Sequence, residues 1–227
     1  MISLLPLWPM QPVLEIGQLT LPVIMQQQYL QQIKIIKNLP LGSGLGGGSA
    51  DASALLNFFN KRLKLNLKRR TISLICNKIG ADVEPCLNTN FKLLYGASNK
   101  IFTFNKKPKL NLLLVYPNCL NPTKKIYLSN KIFSKSNNYK ISLLKKNILN
   151  LNYLFKFLNY EGNDLEQSAF KNNSVILKLL ISLKKLKGCK LARMTGSGSA
   201  CFAIFQNNAQ LAKAIFVLKK HYKSYWI

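Results

Sequence analysis

The stretch Pro40-Leu41-Gly42-Ser43-Gly44-Leu45-Gly46-Gly47-Gly48-Ser49-Ala50 holds five glycines within the seven residues from Gly42 to Gly48. Such a run costs backbone entropy that an ordinary turn avoids. What it offers in return is close approach: main-chain N–H groups can point together into one concavity. The β-branched run Ile33–Ile36 precedes it, ending at Asn38-Leu39-Pro40, and Leu55, Leu56 and Phe59 follow at helical spacing. A strand, glycines and a helix start with Ser49 as N-cap make a phosphate cradle, because the helix turns its positive end to the anion. A flexible linker is the plainer alternative, and these flanks argue against it.

Three familiar cradles are excluded. Gly42-x-Gly44-x-x-Gly47 matches a dinucleotide fingerprint, but no acidic residue stands where a ribose hydroxyl would need it. Ser49-Ala50 occupies the place of the Lys-Ser/Thr of a P-loop, and the HRD and DFG strings of protein kinases do not occur. Two other places could take part in chemistry. Asp82 lies just past a helix end and, with only seven acidic residues in the chain, is the leading candidate base. A loop aspartate satisfied by nearby backbone is the alternative. Gly196-Ser197-Gly198 forms a second glycine-rich turn within Thr195–Ser199, or else a bare hairpin turn.

Several elements must position these residues. Lys68–Ile79 reads as a helix stopped by Gly80, and Phe91–Tyr95 and Lys100–Phe104 as paired strands around Gly96-Ala97-Ser98-Asn99. Pro108 marks a lobe boundary, and the apolar run Leu110–Tyr116 is a buried strand. Residues 121–160 read as helical pieces, and Asn163-Asp164 caps a helix running toward Leu186. Lys190–Met194 and Ala200–Phe205 flank the second glycine turn as strands, and Ala209–Lys220 is a closing helix. Helices and strands mix without a regular alternation, which makes the class α+β. Residues 1–30 have no clear period. Pro6, Pro9, Pro12 and Pro22 break any spanning helix there, and the absence of Lys and Arg excludes the basic flank of a signal peptide.

The chain has 227 residues, 48% of them hydrophobic, enough for one large domain or two small lobes. Its 33 Lys and Arg against 7 Asp and Glu give a formal charge of +26. The lysines are scattered singly or in pairs such as Lys106-Lys107 and Lys219-Lys220, among many Asn and Ile. All three residue types share A/T-rich codons, so a skewed genome explains the charge without a specific nucleic-acid partner. The charge still draws anionic substrates. Five cysteines without a CxxC pair and a single histidine, His221, argue against a metal site or a disulfide scaffold. Scattered thiols fit a reducing cytoplasm, each as a small core residue.

The string Pro40–Ser53 (PLGSGLGGGSADAS) resembles the second motif of the GHMP small-molecule kinases, P-x-x-x-G-L-G-x-x-S-A. Its triple glycine is most similar to the members that phosphorylate the cytidyl diphosphate of a methyl-branched polyol in non-mevalonate isoprenoid synthesis. Three further pieces follow in the family's order. Gly80-Ala81-Asp82-Val83 resembles its GADVP, Asn163-Asp164-Leu165 its ND(L/C)E, and Arg193–Phe202 (RMTGSGSACF) its C-terminal glycine motif. Together they span Lys34 to about Lys220.

The resemblance implies a two-lobed α+β fold, with residues 31–108 as the N-terminal ATP-binding lobe and 109–227 as the C-terminal lobe. It implies ATP as co-substrate with Mg2+, and ATP phosphates bound by Pro40, Leu41, Gly42, Ser43, Gly44, Leu45, Gly46, Gly47, Gly48, Ser49 and Ala50. Asp82 matches the catalytic base that takes the proton from the substrate's 2-hydroxyl, and Gly196 and Ser197 match the turn that closes the substrate site. Tyr127, in the loosely matching Asn121–Tyr127 segment, would stack on the cytosine, a buried core tyrosine being the other reading. The expected partner is a small cytidyl diphosphate, bound by a cytoplasmic monomer or homodimer without membrane contact.

Two departures stand out. Glu84 replaces the proline of GADVP and puts a second negative charge near Asp82, which would impair or reassign the base if both were buried together. The family's opening PAK(I/L)N strand, with its activating lysine, and its DGYH segment have no counterpart: no Lys precedes Lys34 and no His precedes His221. Residues 1–30 stand in their place and leave the N-terminal lobe incomplete. Two alternatives follow: a truncated or degenerate homologue that binds nucleotide or polyanions without turnover, or a GHMP kinase acting on another alcohol.

Overall fold

The computed structural model describes residues 33–96, 100–131 and 138–227, with the backbone of two short strands before them. Among the described residues the strands are β1 (Ser3–Leu5), β2 (Val13–Ile16), β3 (Ile33–Ile36), β4 (Lys92–Tyr95), β5 (Lys100–Thr103), β6 (Asn111–Val115), β7 (Cys189–Met194) and β8 (Cys201–Phe205). The helices are α1 (Gly47–Arg62), α2 (Arg69–Ile79), α3 (Thr123–Ser129), α4 (Asn138–Asn147), α5 (Leu151–Tyr160), α6 (Glu166–Asn172), α7 (Ser174–Lys185) and α8 (Asn208–His221), with a 3-10 turn at Glu84–Leu87. The α+β class expected from the sequence is the class observed. The described residues fall into two compact units.

The first unit takes in the described residues of Met1–Leu7, Pro40–Gly46 and Asn90–Ile227. Its larger core lies on the antiparallel sheet β6-β8-β7. Alternate residues Leu113 and Val115, Ala192 and Met194, and Ala203 and Phe205 turn one way, as the two-residue period of a strand requires. Against them pack Ile176, Leu179 and Leu183 of α7 with Ala214 and Leu218 of α8, each set at helical spacing. Both helices open on an asparagine whose side chain accepts a first-turn N–H: Asn173 from Val175, Asn207 from Gln210.

A second core joins the β4–β5 hairpin (Phe91, Leu93, Phe104) to α4 and α5 (Ile141, Leu144, Leu154, Phe157). The Lys145 ammonium lies 4.6 Å from the Tyr95 ring centre and 4.4 Å from that of Phe102 and donates to Tyr95 Oη at 3.2 Å, covering the hairpin. β1 extends this sheet beside β4. The hairpin is the expected one; residues 97–99 of its expected turn lie outside the described residues.

The second unit takes in the described residues of Trp8–Leu39 and Gly47–Thr89. Strands β2 and β3 pair antiparallel, Val13 with Ile36 and Ile16 with Ile33. α1 buries Asp51 and Ser53, where an apolar stripe is expected; Leu55, Leu56 and Phe59 are only half-buried. Asp51 pairs with Lys37, Ser53 Oγ donates to the carbonyls of Ala50 and Cys86 at 2.9 and 3.0 Å, and Asn57 Nδ2 donates to that of Leu87 at 2.9 Å. Polar groups therefore tie α1 to the 3-10 turn.

Three expectations need correction. The helix expected from Asn163-Asp164 to Leu186 is two helices, because the Asn173 side chain caps a new start. The first thirty residues, read as without period, contain β1 and β2, which gain their strand character from pairing with β4 and β3. Of the five thiols only Cys76 and Cys201 are fully buried; Cys86, Cys119 and Cys189 are half-buried.

Candidate functional site

The first half of the glycine-rich loop is locked in the first unit. Gly42, Gly44 and Gly46 take φ of +65°, +77° and +71°, a region where a side chain costs conformational energy. Ser43 is buried, and its carbonyl accepts from the Ala200 N–H at 2.9 Å. The Gly44 carbonyl accepts from Thr195 Oγ1 at 2.8 Å. A Cβ on Gly44 would stand 2.7 Å from the Thr195 carbonyl oxygen and 2.8 Å from that of Gly198. The loop and the second glycine turn, read separately in the sequence, are thus interlocked main chain to main chain. Pro40 and Leu45 flank this half partly covered, while Leu41 is 69% exposed.

The second half is open. A Cβ on Gly46, Gly47 or Gly48 would meet no heavy atom within 4 Å. Helix α1 starts at Gly47, so Ser49 is its third residue and not its N-cap, with Ala50 next. The chain turns into the helix at Gly46, whose positive φ only glycine adopts freely. The first turn carries no acidic residue and the last carries Lys61 and Arg62. The first N–H groups of a helix lack intrahelical partners, so this end presents donors and partial positive charge.

The second glycine turn links β7 to β8 and is framed by polar side chains. Thr195 N donates to the Ala200 carbonyl at 2.9 Å and Gly198 N to that of Thr195 at 2.8 Å. Asn163 Nδ2 donates to the carbonyls of Met194 and Gly196 at 3.0 and 2.9 Å, while its Oδ1 accepts from Leu165 N. Asn163, read as a helix cap, holds the turn instead: α6 has Leu165 at its cap position and no side-chain cap bond. Glu166 Oε1 accepts from Met194 N at 2.9 Å. Burial pushes its carboxyl above the usual range, against the pull of that N–H and of the Arg193 and Lys184 charges. Thr123 Oγ1 and Ser197 Oγ share a hydrogen bond of 2.8 Å. Gly196 is exposed and Ser197 buried. Asn121, Thr123 and Glu166 are the residues the sequence reading missed. In a chain so rich in asparagine, one more asparagine carries no contrast.

Tyr127 lies one helical turn beyond Thr123 on α3 and is 44% exposed, so it is not a core tyrosine. In the second unit, Asp82 occupies the turn between α2 and the 3-10 turn and is exposed above the buried Val83. The turn is fixed by Gly80 N donating to the Cys76 carbonyl at 2.8 Å and Val83 N to that of Gly80 at 3.1 Å. Glu84 Oε2 accepts from Ser73 Oγ of α2 at 2.7 Å, so Glu84 is engaged while Asp82 is exposed, and the two are not buried together. Among the described residues no group of three or more His, Cys, Asp or Glu could hold a metal alone, and no helix is long and apolar enough to cross a membrane.

Two family models match: GHMP kinases N terminal domain over residues 19–89 and GHMP kinases C terminal over residues 142–224. The chain belongs to the GHMP kinases. Within them it is similar to curated proteins named 4-diphosphocytidyl-2-C-methyl-D-erythritol kinase. That of Rhodospirillum rubrum is 31% identical over 86% of this chain and 63% of its own length. That of Caldanaerobacter subterraneus subsp. tengcongensis is 35% identical over 84% and 66%, and that of Pelagibacter ubique 32% identical over 86% and 66%. The chain thus spans 63% to 66% of the length of these relatives. A crystal structure of 4-(cytidine 5'-diphospho)-2C-methyl-D-erythritol kinase has the same fold at TM-score 0.64 and 21% identity, covering 86% of this chain and 69% of the other. Homoserine kinase from Cytophaga hutchinsonii follows at TM-score 0.57 and 19% identity, over 85% and 65%.

Proposed function

We propose that this chain carries out ATP-dependent phosphorylation of the 2-hydroxyl of 4-diphosphocytidyl-2-C-methyl-D-erythritol, a step of non-mevalonate isoprenoid precursor synthesis. The observation that carries the reading is the divided glycine loop: Gly44 is needed for packing, whereas Gly46, Gly47 and Gly48 face open space at a helix start. Glycines that no protein neighbour requires, at the positive end of a helix, suit the close approach of a phosphate chain.

In this reading Pro40–Ala50 binds the ATP phosphates through its backbone. Asp82, exposed at a fixed turn, accepts the proton from the substrate hydroxyl as that oxygen attacks the γ-phosphorus. Positioning and charge stabilisation dominate phosphoryl transfer, so one carboxylate suffices. Gly196 and Ser197 contact the substrate, and the exposed ring of Tyr127 stacks on its cytosine. Mg2+ would neutralise phosphate oxygens, and without an acidic cluster among the described residues it would be held chiefly by ATP itself.

The test is ATP consumption by the purified chain with Mg2+ and the cytidyl substrate, beside Asp82→Asn. Turnover that depends on the alcohol and falls by about 10²- to 10⁴-fold in the variant is expected for loss of a general base. An unchanged rate in Asp82→Asn overturns the base assignment. ATP binding without turnover of any alcohol makes the chain a nucleotide-binding homologue, and faster turnover of mevalonate or homoserine reassigns the substrate.

A further inference from the structure

Asn121 lies in the connection from β6 to α3 and is only 3% exposed. A buried amide needs partners on both ends, and this one has them. Its Nδ2 donates to the Ser197 carbonyl at 2.5 Å, and its Oδ1 accepts from Asn172 Nδ2, at the end of α6, at 2.8 Å. A Cβ on Gly198 would come within 3.1 Å of the same Nδ2, so the amide is seated against two successive residues of the turn. The relay has a direction. A carbonyl oxygen only accepts, so the Asn121 atom facing Ser197 must be the nitrogen, and Asn172 must then donate to the oxygen.

The turn rests on separate supports. Thr195 and Ala200 bond to Gly44 and Ser43, and Asn163 holds Met194 and Gly196. At Ser197 the buried support is the peptide carbonyl on Asn121, beside the hydroxyl on Thr123. Moving the Asn121 amide would rotate the Ser197 peptide and leave in place the two hydrogen bonds to the ATP loop, Thr195 to Gly44 and Ala200 to Ser43.

We propose that Asn121, oriented by Asn172, is a positioning residue that sets the Ser197 peptide and thereby the affinity of the turn for the alcohol substrate. The proposal rests on the reading of Gly196 and Ser197 as substrate contacts. Asn121→Asp keeps the shape and turns an acceptor toward the Ser197 carbonyl. Asn172→Leu removes the group that orients Asn121.

Steady-state kinetics with the cytidyl substrate is expected to show KM for the alcohol raised about tenfold in Asn121→Asp and about threefold in Asn172→Leu, as for one lost hydrogen bond. KM for ATP and kcat stay within about twofold, because binding is lost and not chemistry. The double variant is expected to be no worse than Asn121→Asp alone, since both changes act on one relay. Additive losses, a fall in kcat with KM unchanged, or no effect overturn the proposal.

Amide hydrogen exchange serves as a readout without turnover. Exchange at Gly198 should quicken by about tenfold in both variants, while Val115 and Phe205 in the sheet keep their protection. Unchanged exchange at Gly198 overturns the positioning role even if the chain phosphorylates nothing. Quickened exchange in a chain without turnover leaves the positioning of the turn standing and removes only the substrate reading. Quickened exchange at Gly198 together with loss of protection at Val115 and Phe205 in both variants would make Asn121 a fold residue and overturn the proposal.

Discussion

The two halves of the glycine-rich loop use the same residue for opposite reasons. At Gly44 a methyl group would strike two carbonyl oxygens of the second glycine turn; at Gly46, Gly47 and Gly48 it would meet nothing. In the first half glycine permits contact between two stretches of main chain, and the missing side chain is a matter of stability. In the second, beyond the positive φ of Gly46, it keeps space clear in front of a helix end, and at Gly47 and Gly48 the missing side chain is a matter of what can approach. Five glycines in a row of seven look alike in the sequence. Their neighbours separate them.

The comparison breaks most easily at Gly44. In Gly44→Ala the positive φ and the two carbonyl contacts combine, and a loss of about 2–5 kcal/mol in unfolding free energy is expected. Chemical denaturation measures it, and a loss below about 1 kcal/mol would mean that the interlock yields without strain. Gly48→Ala is the opposite case. Gly48 lies in the first turn of α1 without a positive φ, so alanine is expected to stabilise by up to about 1 kcal/mol. Its methyl would stand where a phosphate is proposed to approach, and ATP affinity should fall by about tenfold or more, as for lost charge-assisted hydrogen bonds. Equal losses of stability in the two variants would erase the distinction, and unchanged ATP affinity in Gly48→Ala would move the nucleotide elsewhere.

What could be read in advance follows the range of the interactions. Ile33–Ile36 has the same bounds as the strand expected, and the turn between β7 and β8 is where its glycines put it, because both signals are local. The break at Asn173 is local too, but it was masked: a capping asparagine within Asn172-Asn173-Ser174 does not stand out in an asparagine-rich chain, and the apolar period runs on across it. The start of α1 at Gly47 was missed since serine is the stronger cap signal and glycine a poor helix former. Strands β1 and β2 owe their form to partners far along the chain. So do the supports of the second glycine turn. Asn163 was legible as a motif residue, yet its amide bonds lie 31 and 33 residues away, and no spacing rule reaches that far.

The mildest probe of the locked half is Glu166, which accepts from Met194 N at the end of β7, next to the turn that receives Gly44. Burial raises its carboxyl, with the Met194 N–H, Arg193 and Lys184 opposing. The folded chain therefore holds this proton to a higher pH than the unfolded chain, whose carboxyl titrates near about pH 4.3. Between the two the folded state binds more protons, so stability present at lower pH is lost as pH rises through the folded value. Glu166→Gln keeps an oxygen for Met194 N and removes the titration. Thermal unfolding across the acidic range should show the native chain losing stability relative to the variant from about pH 4 upward, with a constant difference once the carboxyl is ionised. The cost of ionising Glu166 would then be borne by the frame around the second glycine turn, and the ATP affinity of Glu166→Gln should match that of the native chain at each pH. A stability difference that does not vary with pH would mean that Glu166 is not held in a buried frame, and the locked half would then rest on Asn163 and the main-chain bonds alone.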